Sequence, residues 1–93
     1  MDEINAAILD LLIFPENFAN IVSECTLTDN KHVIADVLKQ LMHDELVYPL
    51  LLNQNGDLVR SLGYDTDFMN DYHYQLSSLG IKTLQRHKHS TGG

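Results

Sequence analysis

The sequence contains a single cysteine, Cys25, and no tryptophan. One cysteine cannot form an internal disulfide, which excludes a disulfide-stapled domain and favours a reducing compartment. No apolar run reaches the roughly 18 residues that a membrane-spanning helix needs. The apolar segment 4–14 contains Asp10 and follows Asp2 and Glu3, whereas a secretory signal begins with positive charge. We therefore expect a cytoplasmic protein that does not enter a membrane.

Basic residues are scarce in this chain. Six Lys and Arg stand against 13 Asp and Glu, which gives a formal net charge of -7. Residues 1–30 contain six acids and no Lys or Arg, whereas residues 82–93 contain no acid. The cations of that C-terminal end are Lys82, Arg86 and Lys88. The body of the chain should repel a polyanion, and its C-terminal end could attract one.

Motifs that carry catalytic chemistry are also missing. The sequence contains no Gly-rich phosphate loop, no Ser/His/Asp arrangement and no cofactor fingerprint. His32 and Asp36 have helical i, i+4 spacing and could reach one metal ion, but a site needs further ligands. Cys25 ends an apolar stripe and is expected to pack in the core rather than act as a nucleophile. We therefore predict a non-enzymatic protein with no catalytic residues, no metal and no cofactor.

The length of the chain predicts its domain organisation. Its 93 residues make one domain, and an apolar content of 44% is ordinary for a folded protein. A domain this short buries a modest core, so its stability is marginal unless it pairs with a second copy. We predict one domain over residues 1–88, followed by a frayed tail over residues 89–93.

Apolar spacing predicts three helices in the first half of the chain. The first covers residues 2–13, and the second covers residues 15–24 with Pro15 in its first position. In the turn that follows, we expect Leu27 to fill the gap between helices and Thr28 to cap the third helix. The third helix turns one aliphatic stripe inward: Ile34, Val37, Leu38 and Leu41.

The period then changes to that of strands. Residues 47–52 form the first predicted strand, which Pro49 places near an edge or a bulge. Asn55 and Gly56 predict a hairpin turn, because both residues tolerate positive φ. Residues 58–64 are expected to return as the second strand.

The last quarter of the chain is predicted to contain a loop, a strand and a helix. A polar loop over residues 65–71 leads to a third strand over residues 72–76, where aromatic and polar residues alternate. Ser77 or Ser78 is expected to cap the final helix. Three apolar residues of that helix are expected to dock on the core: Leu79, Ile81 and Leu84.

Two short motifs occur in this order of elements. The first is LxxLxxxELV over residues 38–47, and the second is YQLSxxG over residues 74–80. Together they resemble the exit of the recognition helix and the step that closes the wing in winged helix-turn-helix proteins, many of which regulate transcription. The resemblance covers residues 4–85. It implies a mostly α fold of class α+β, with a three-helix core, a small antiparallel sheet that includes a β-hairpin wing, and a C-terminal helix. The connection to that last helix is longer than a minimal wing, and could hold an enlarged wing or an extra partner surface.

The resemblance implies a way of binding double-stranded DNA. In such proteins the third helix lies in the major groove and the wing touches phosphates. The corresponding helix positions in this sequence are Asn30, Lys31, His32, Val33, Ala35, Asp36 and Lys39. The corresponding wing positions are Asn53, Asn55 and Arg60. The first hypothesis is therefore a dimeric DNA-binding transcriptional regulator, although Lys31, Lys39 and Arg60 supply few cations for phosphate contact.

A second hypothesis follows from the aromatic residues of the sheet region. An exposed tyrosine-rich patch marks a protein interface, whereas tyrosine pairs across strands stabilise a sheet. Leu50, Leu51 and Leu52 are consecutive, so a strand must turn at least one of them away from the core. The candidate interface residues are Tyr48, Leu51, Tyr72 and Tyr74. The chain would then be an acidic winged-helix module for protein partners or homodimerisation, without DNA binding.

Overall fold

The computed structural model describes residues 2–91, with side chains described as far as His89. Within these residues the chain forms four α-helices, one 3-10 helix and a four-stranded antiparallel sheet, so the predicted α+β class is confirmed. The α-helices are α1 (Glu3–Leu11), α2 (Phe18–Glu24), α3 (Lys31–His43) and α4 (Ser78–Thr91). The strands are β1 (Glu16–Asn17), β2 (Val47–Leu52), β3 (Leu58–Arg60) and β4 (His73–Leu76), and the 3-10 helix spans Thr66–Asp71.

Strand β2 lies inside the sheet, whose strand order is β1-β4-β2-β3. The prediction that Pro49 places β2 near an edge or a bulge holds only locally: β2 has a neighbour on both sides, but its register with β3 ends at Leu50. The carbonyl of Pro49 accepts a hydrogen bond from Ser61 N–H (3.0 Å), one residue after β3 ends. The N and O atoms of one strand residue point to the same side, so the nitrogen of Pro49, which carries no hydrogen, also faces β3. It lies where the hydrogen-bond ladder between β2 and β3 ends.

The hydrophobic core lies between the helices and one face of the sheet. Its fully buried side chains come from α1 and the residue that follows it, from α2, from α3 and from β4: Ile8, Leu9, Leu12, Ile21, Ile34, Leu38, Leu41 and Tyr74. The predicted inward stripe of α3 is confirmed, with Val37 only partly buried. Cys25 is also buried as a free thiol, as expected. Each fully buried aliphatic side chain contributes about 1.5–3 kcal/mol of transfer free energy.

Helix α4 buries fewer of its apolar side chains against the core than the sequence predicts. Leu84 is buried, but the docking predicted for Leu79 and Ile81 is wrong, since both side chains are about half exposed. The inward face instead follows Gly80 and Leu84, which are one helical turn apart. Ser77 caps the helix as predicted, because its Oγ accepts the N–H of Gly80 (3.0 Å). The helix continues to Thr91, into the segment predicted to fray, and residues 92–93 lie outside the described part of the chain.

The region around Pro15 differs from its prediction. Pro15 does not begin α2, because Glu16 and Asn17 pair with β4 as a short strand. Asn17 then caps the helix, and its side-chain oxygen accepts the N–H of Asn20 (2.8 Å). Asn17 suits the cap position because its side chain accepts a backbone N–H at the helix N-terminus, whereas a proline side chain cannot accept a hydrogen bond.

The turn between α2 and α3 also corrects two predictions. Leu27 is half exposed and does not fill the gap between the helices. Thr28 is not the cap, since its Oγ1 accepts the N–H of Asn30 (3.1 Å) instead. Asn30 caps α3 by accepting the N–H of His32 (2.9 Å). The third helix therefore begins later than the capping prediction at Thr28 implies.

The hairpin is confirmed, with a longer turn and a shorter return strand. β2 has the predicted bounds, whereas β3 ends at Arg60 rather than at residue 64. The Asn53 side chain closes the turn by accepting the N–H groups of Asn55 and Asp57 (2.9 Å each). Only Gly56 has positive φ in this turn (84°). Beyond Arg60 the ladder makes one more bond, from Ser61 N–H to Pro49 O, and Pro49 has no N–H to donate in return.

The segment predicted as a polar loop over residues 65–71 is largely a 3-10 helix. Asp65 caps it by accepting the N–H of Asp67 (2.9 Å). Met69 is buried in the core cluster, and its carbonyl accepts the hydroxyl of Tyr74 (2.7 Å). One apolar anchor and one buried hydrogen bond therefore hold an acidic segment against the domain.

The two sequence motifs meet where α3 ends and α4 begins. Leu46 N–H bonds to Leu41 O (2.9 Å) and Glu45 N–H bonds to Met42 O (3.1 Å), which is a Schellman ending with Glu45 at φ 62°. From the other side, Ser77 N–H donates to Leu46 O (2.9 Å) and Ser77 Oγ donates to Glu45 O (2.6 Å). This junction fixes the direction in which β2 leaves α3, and hence the position of the hairpin.

Glu45 offers a direct test of that ending. A side chain in the left-handed region is strained relative to glycine, so Glu45→Gly should raise the free energy of unfolding by about 0.5–1 kcal/mol. The Glu45 side chain is exposed, so little packing is lost. Thermal unfolding followed by circular dichroism measures the change. Asp44→Gly is the control, because Asp44 has φ -81° and should gain nothing. Equal or lower stability of Glu45→Gly would contradict this description.

Candidate interaction surfaces

The polar face of α3 carries most of the residues predicted to bind DNA. Lys31 and His32 are exposed, Ala35 is partly buried, and the side chain of Asn30 is occupied by its cap. Lys39 lies 3.7 Å from Asp36, so part of its charge is neutralised on the helix itself. Between residues 30 and 45 two cations stand against three carboxylates. The face is therefore polar but close to neutral.

Arg60 lies away from the N-terminal end of α3. Its guanidinium stacks over the ring of Tyr48 at 4.6 Å from the centroid. It lines a cleft together with Met42 and Glu45, at the C-terminal end of α3. Lys31 begins the helix, about 16 Å from Met42 along the axis at 1.5 Å per residue. The structure thus does not bring Arg60 close to Lys31.

The C-terminal cations are partly used inside the domain. Lys88 Nζ lies 2.8 Å from Asp10 Oδ1 and ties α4 to α1. Lys82 and Arg86 are exposed on α4. The basic end of the chain is therefore drawn towards the acidic first helix.

The four predicted interface residues do not form one exposed surface. Tyr72 and Tyr74 are buried in the core cluster, so their assignment to an interface is wrong. Tyr74 shares the buried face of β4 with Leu76, and Tyr72, one residue before β4, is two positions from Tyr74 and lies on the same side. Tyr48 is partly buried on the outer face, where its hydroxyl donates to Gln75 Oε1 (3.1 Å). Leu51 is exposed, as predicted.

An apolar surface lies along the β2–β3 hairpin and the residues just after it. We call it the hairpin surface, and it consists of Leu51 (38% exposed), Leu52 (61%), Val59 (45%) and Leu62 (108%). Leu51 and Val59 are cross-strand partners on one face, whereas Leu52 points to the other face. Leu62 follows the end of β3 and lines a cleft with Met42 and Glu45, away from the hairpin turn. The leucine run over residues 50–52 signalled part of this surface, but Val59 and Leu62 were missed.

A cleft of about 680 Å³ lies on the outer face of the sheet. Leu50 forms part of its floor and is buried there, outside the main core cluster. Its rim includes Leu58 and Arg60 of β3 on one side and Ser78 and Ile81 of α4 on the other. No Asp or Glu lines this cleft. A donor-bearing, acid-free cleft is unusual in a chain with a net charge of -7.

A metal-binding cluster and a membrane-spanning helix are both absent from residues 2–91. No three His, Cys, Asp or Glu side chains of these residues are grouped so that they could hold a metal ion. None of the described helices is both long and apolar enough to cross a membrane. Comparisons of the chain with protein-family models, with curated proteins and with solved structures find no match.

Proposed function

We propose that this chain is a non-enzymatic winged-helix protein that binds another protein through its hairpin surface. Support for the winged-helix part comes from chain order and sheet order. A short strand between α1 and α2 pairs with β4, and β4 pairs with β2, so three helices are followed by a small antiparallel sheet. β3 adds a strand at the outer edge and enlarges the wing. The contact between Leu46 and Ser77 joins the two motifs that carry the resemblance.

The observation that carries the proposal is the exposure of the hairpin surface. Large aliphatic side chains exposed along a hairpin lower solubility unless another surface covers them. Leu52 and Leu62 make no contribution to the main core cluster, so core packing does not explain them. A covered hairpin explains why apolar residues occupy these positions.

Electrostatics favour a protein over a nucleic acid as the partner. Phosphate neutralisation supplies most of the affinity of non-specific DNA binding, and it requires several cations on one surface. The polar face of α3 is close to neutral, and Lys39 is paired with Asp36. The 3-10 helix beyond the wing adds Asp65, Asp67 and Asp71. The cytoplasmic location stays a prediction.

Replacing one hairpin leucine tests the proposal. Leu62→Lys places a charge on the hairpin surface, and we expect it to abolish at least nine-tenths of the capture of the main partner, because an unpaired charge would be buried. The measurement is quantitative affinity capture of the tagged chain from cells that express it naturally. Leu27→Lys is the matched control, since Leu27 is another exposed leucine outside the hairpin. Equal capture by wild type and Leu62→Lys would contradict the proposal.

DNA binding is the second candidate, and one observation favours it. Lys31 and His32 are exposed at the start of α3, on the side that a groove-binding helix would use. If the chain binds a random duplex pool at low salt, Lys31→Glu should weaken binding about fivefold or more, and Lys31→Arg should not. Fluorescence anisotropy at several salt concentrations measures both. No binding at the lowest salt would exclude this candidate.

A further inference from the structure

Strand β3 leaves the backbone groups of two of its three residues without a partner in the described chain. Asp57 O accepts Asn53 N–H (2.8 Å), and Ser61 N–H donates to Pro49 O (3.0 Å), so odd-numbered residues of this strand face β2. Leu58 and Arg60 therefore point their N–H and C=O groups outward. β3 ends the strand order, and no described residue bonds to these groups. The edge offers two donors and two acceptors in the register of a further antiparallel strand.

The charged side chain of strand β3 itself is Arg60, and Glu45 lines a second cleft beside it. Arg60 is the only Lys or Arg between residues 40 and 81, and it makes no ion pair with a described carboxylate. The Arg60 guanidinium lies over the Tyr48 ring, with 4.6 Å between Cζ and the ring centroid, so this contact holds the cation beside Tyr48. The acid-free cleft begins at the same two residues, Leu58 and Arg60. Side chains of an added strand would stand beside this cleft.

We propose that the free edge of β3 takes an extended segment of a partner protein that carries a carboxylate beside Arg60 and an apolar side chain beside Leu58. This inference rests on the proposed function, and it adds the edge, the conformation and the chemistry of the partner. Backbone hydrogen bonds would supply affinity, and the two outer-face side chains would supply selectivity. On the inner face, the middle residue of the segment would pack against Val59 and continue the hairpin surface.

A second copy of this chain does not have that chemistry. If two β3 strands paired about a two-fold axis at Val59, Leu58 of each copy would lie opposite Arg60 of the other. The shared outer face would then hold two arginines and no carboxylate, because Asp57 alternates to the opposite face. Two chains of net charge -7 also repel each other. Charge complementarity therefore favours an acidic segment of a different protein.

The test uses a fluorescein-labelled probe peptide of sequence STEVLTS and the wild-type chain in fluorescence anisotropy. In antiparallel register its Glu, Val and Leu lie opposite Arg60, Val59 and Leu58. We expect the matched probe STKVLTS to bind about five- to tenfold more weakly, since a cross-strand ion pair becomes a repulsion. The preference should invert with Arg60→Glu, whose fold is checked by circular dichroism. N-methylation of the probe Glu and Leu should abolish binding to the wild-type chain, because the N–H groups of these two residues face β3. N-methylation of the probe Val should not, because its N–H group points away from β3.

Three results would overturn this inference. They are an absence of binding by STEVLTS up to about 1 mM, an unchanged preference between the two probes in Arg60→Glu, and a wild-type dimer in light scattering that the STEVLTS probe cannot dissociate. The N-methylated probes keep the test decisive even if Arg60→Glu unfolds. If the probe peptide test fails but Leu62→Lys still loses the captured partner, the hairpin surface remains the partner site and only the proposed acidic strand is rejected. Failure of both would remove the proposed function as well.

Discussion

Gly80→Ala should lower the free energy of unfolding by about 3 kcal/mol or more, because it drives a methyl group into backbone. A Cβ at this position would lie 2.0 Å from Leu46 O and 3.0 Å from Leu46 C. Leu46 cannot retreat without breaking the hydrogen bond that its carbonyl accepts from Ser77 N–H (2.9 Å). At an ordinary helix position Gly→Ala raises the free energy of unfolding by about 1 kcal/mol. A decrease in Gly80→Ala would therefore indicate the close approach of Gly80 to the Leu46 backbone.

Chemical denaturation measures this effect, and Gly63→Ala is its control. A Cβ at Gly63 would meet no atom within 4 Å, so that variant should stay within about 0.5 kcal/mol of wild type. In a domain of this size, 3 kcal/mol corresponds to a fall in Tm of roughly 12–24 °C. A Gly80→Ala chain as stable as Gly63→Ala would mean that α3 and α4 do not meet at Leu46.

Tyr74→Ala should cost about 3–5 kcal/mol, because it removes the largest fully buried side chain of the core. Tyr74→Phe separates the hydroxyl from the ring. It leaves the buried carbonyl of Met69 without its donor, so we expect a loss of about 1–2 kcal/mol and faster amide exchange over residues 66–71. Tyr48→Phe is the control, since its hydroxyl bonds to Gln75 at a partly exposed site and should matter less.

The same tyrosine predicts a dependence of stability on pH. Burial raises the pKa of Tyr74 well above its usual range, and the nearby Tyr72, Asp71 and Tyr64 raise it further. Above about pH 10 the unfolded chain loses this proton while the folded chain keeps it, so stability falls as pH rises. This loss should be smaller in Tyr74→Phe than in wild type. Equal slopes between pH 9 and about 11 in the two chains would contradict the burial of the hydroxyl.

Periodicity predicted those parts of the fold in which one face is buried. The stripe over Ile34, Leu38 and Leu41, and the strand over residues 47–52, follow from spacing alone, because helix and strand periods differ. Caps were harder, since Thr28, Asp29 and Asn30 are all capable residues, and the cap proved to be Asn30. The predicted loop over residues 65–71 was wrong because Met69 packs in the core and orders the segment.

The candidate surface was less predictable than the fold. Alternation places Tyr72 and Tyr74 on one face or the other, but the side that the helices cover depends on where α1 and α3 pack. Tyr74 therefore proved to be core. Leu51 was predicted correctly because three consecutive leucines cannot all face inward. Leu62 carries no local signal, since its exposure arises from the early end of β3.

Site-specific photo-crosslinking tests most directly whether this protein acts through its hairpin. Benzoylphenylalanine would replace Leu62 on the hairpin surface, His32 on the polar face of α3 or Gln85 on α4, all three being exposed positions. In cells that express the chain, we predict that position 62 forms an adduct with one predominant protein, at a yield several times that of positions 32 and 85. Adducts confined to position 32, or equal yields at all three positions, would contradict the claim.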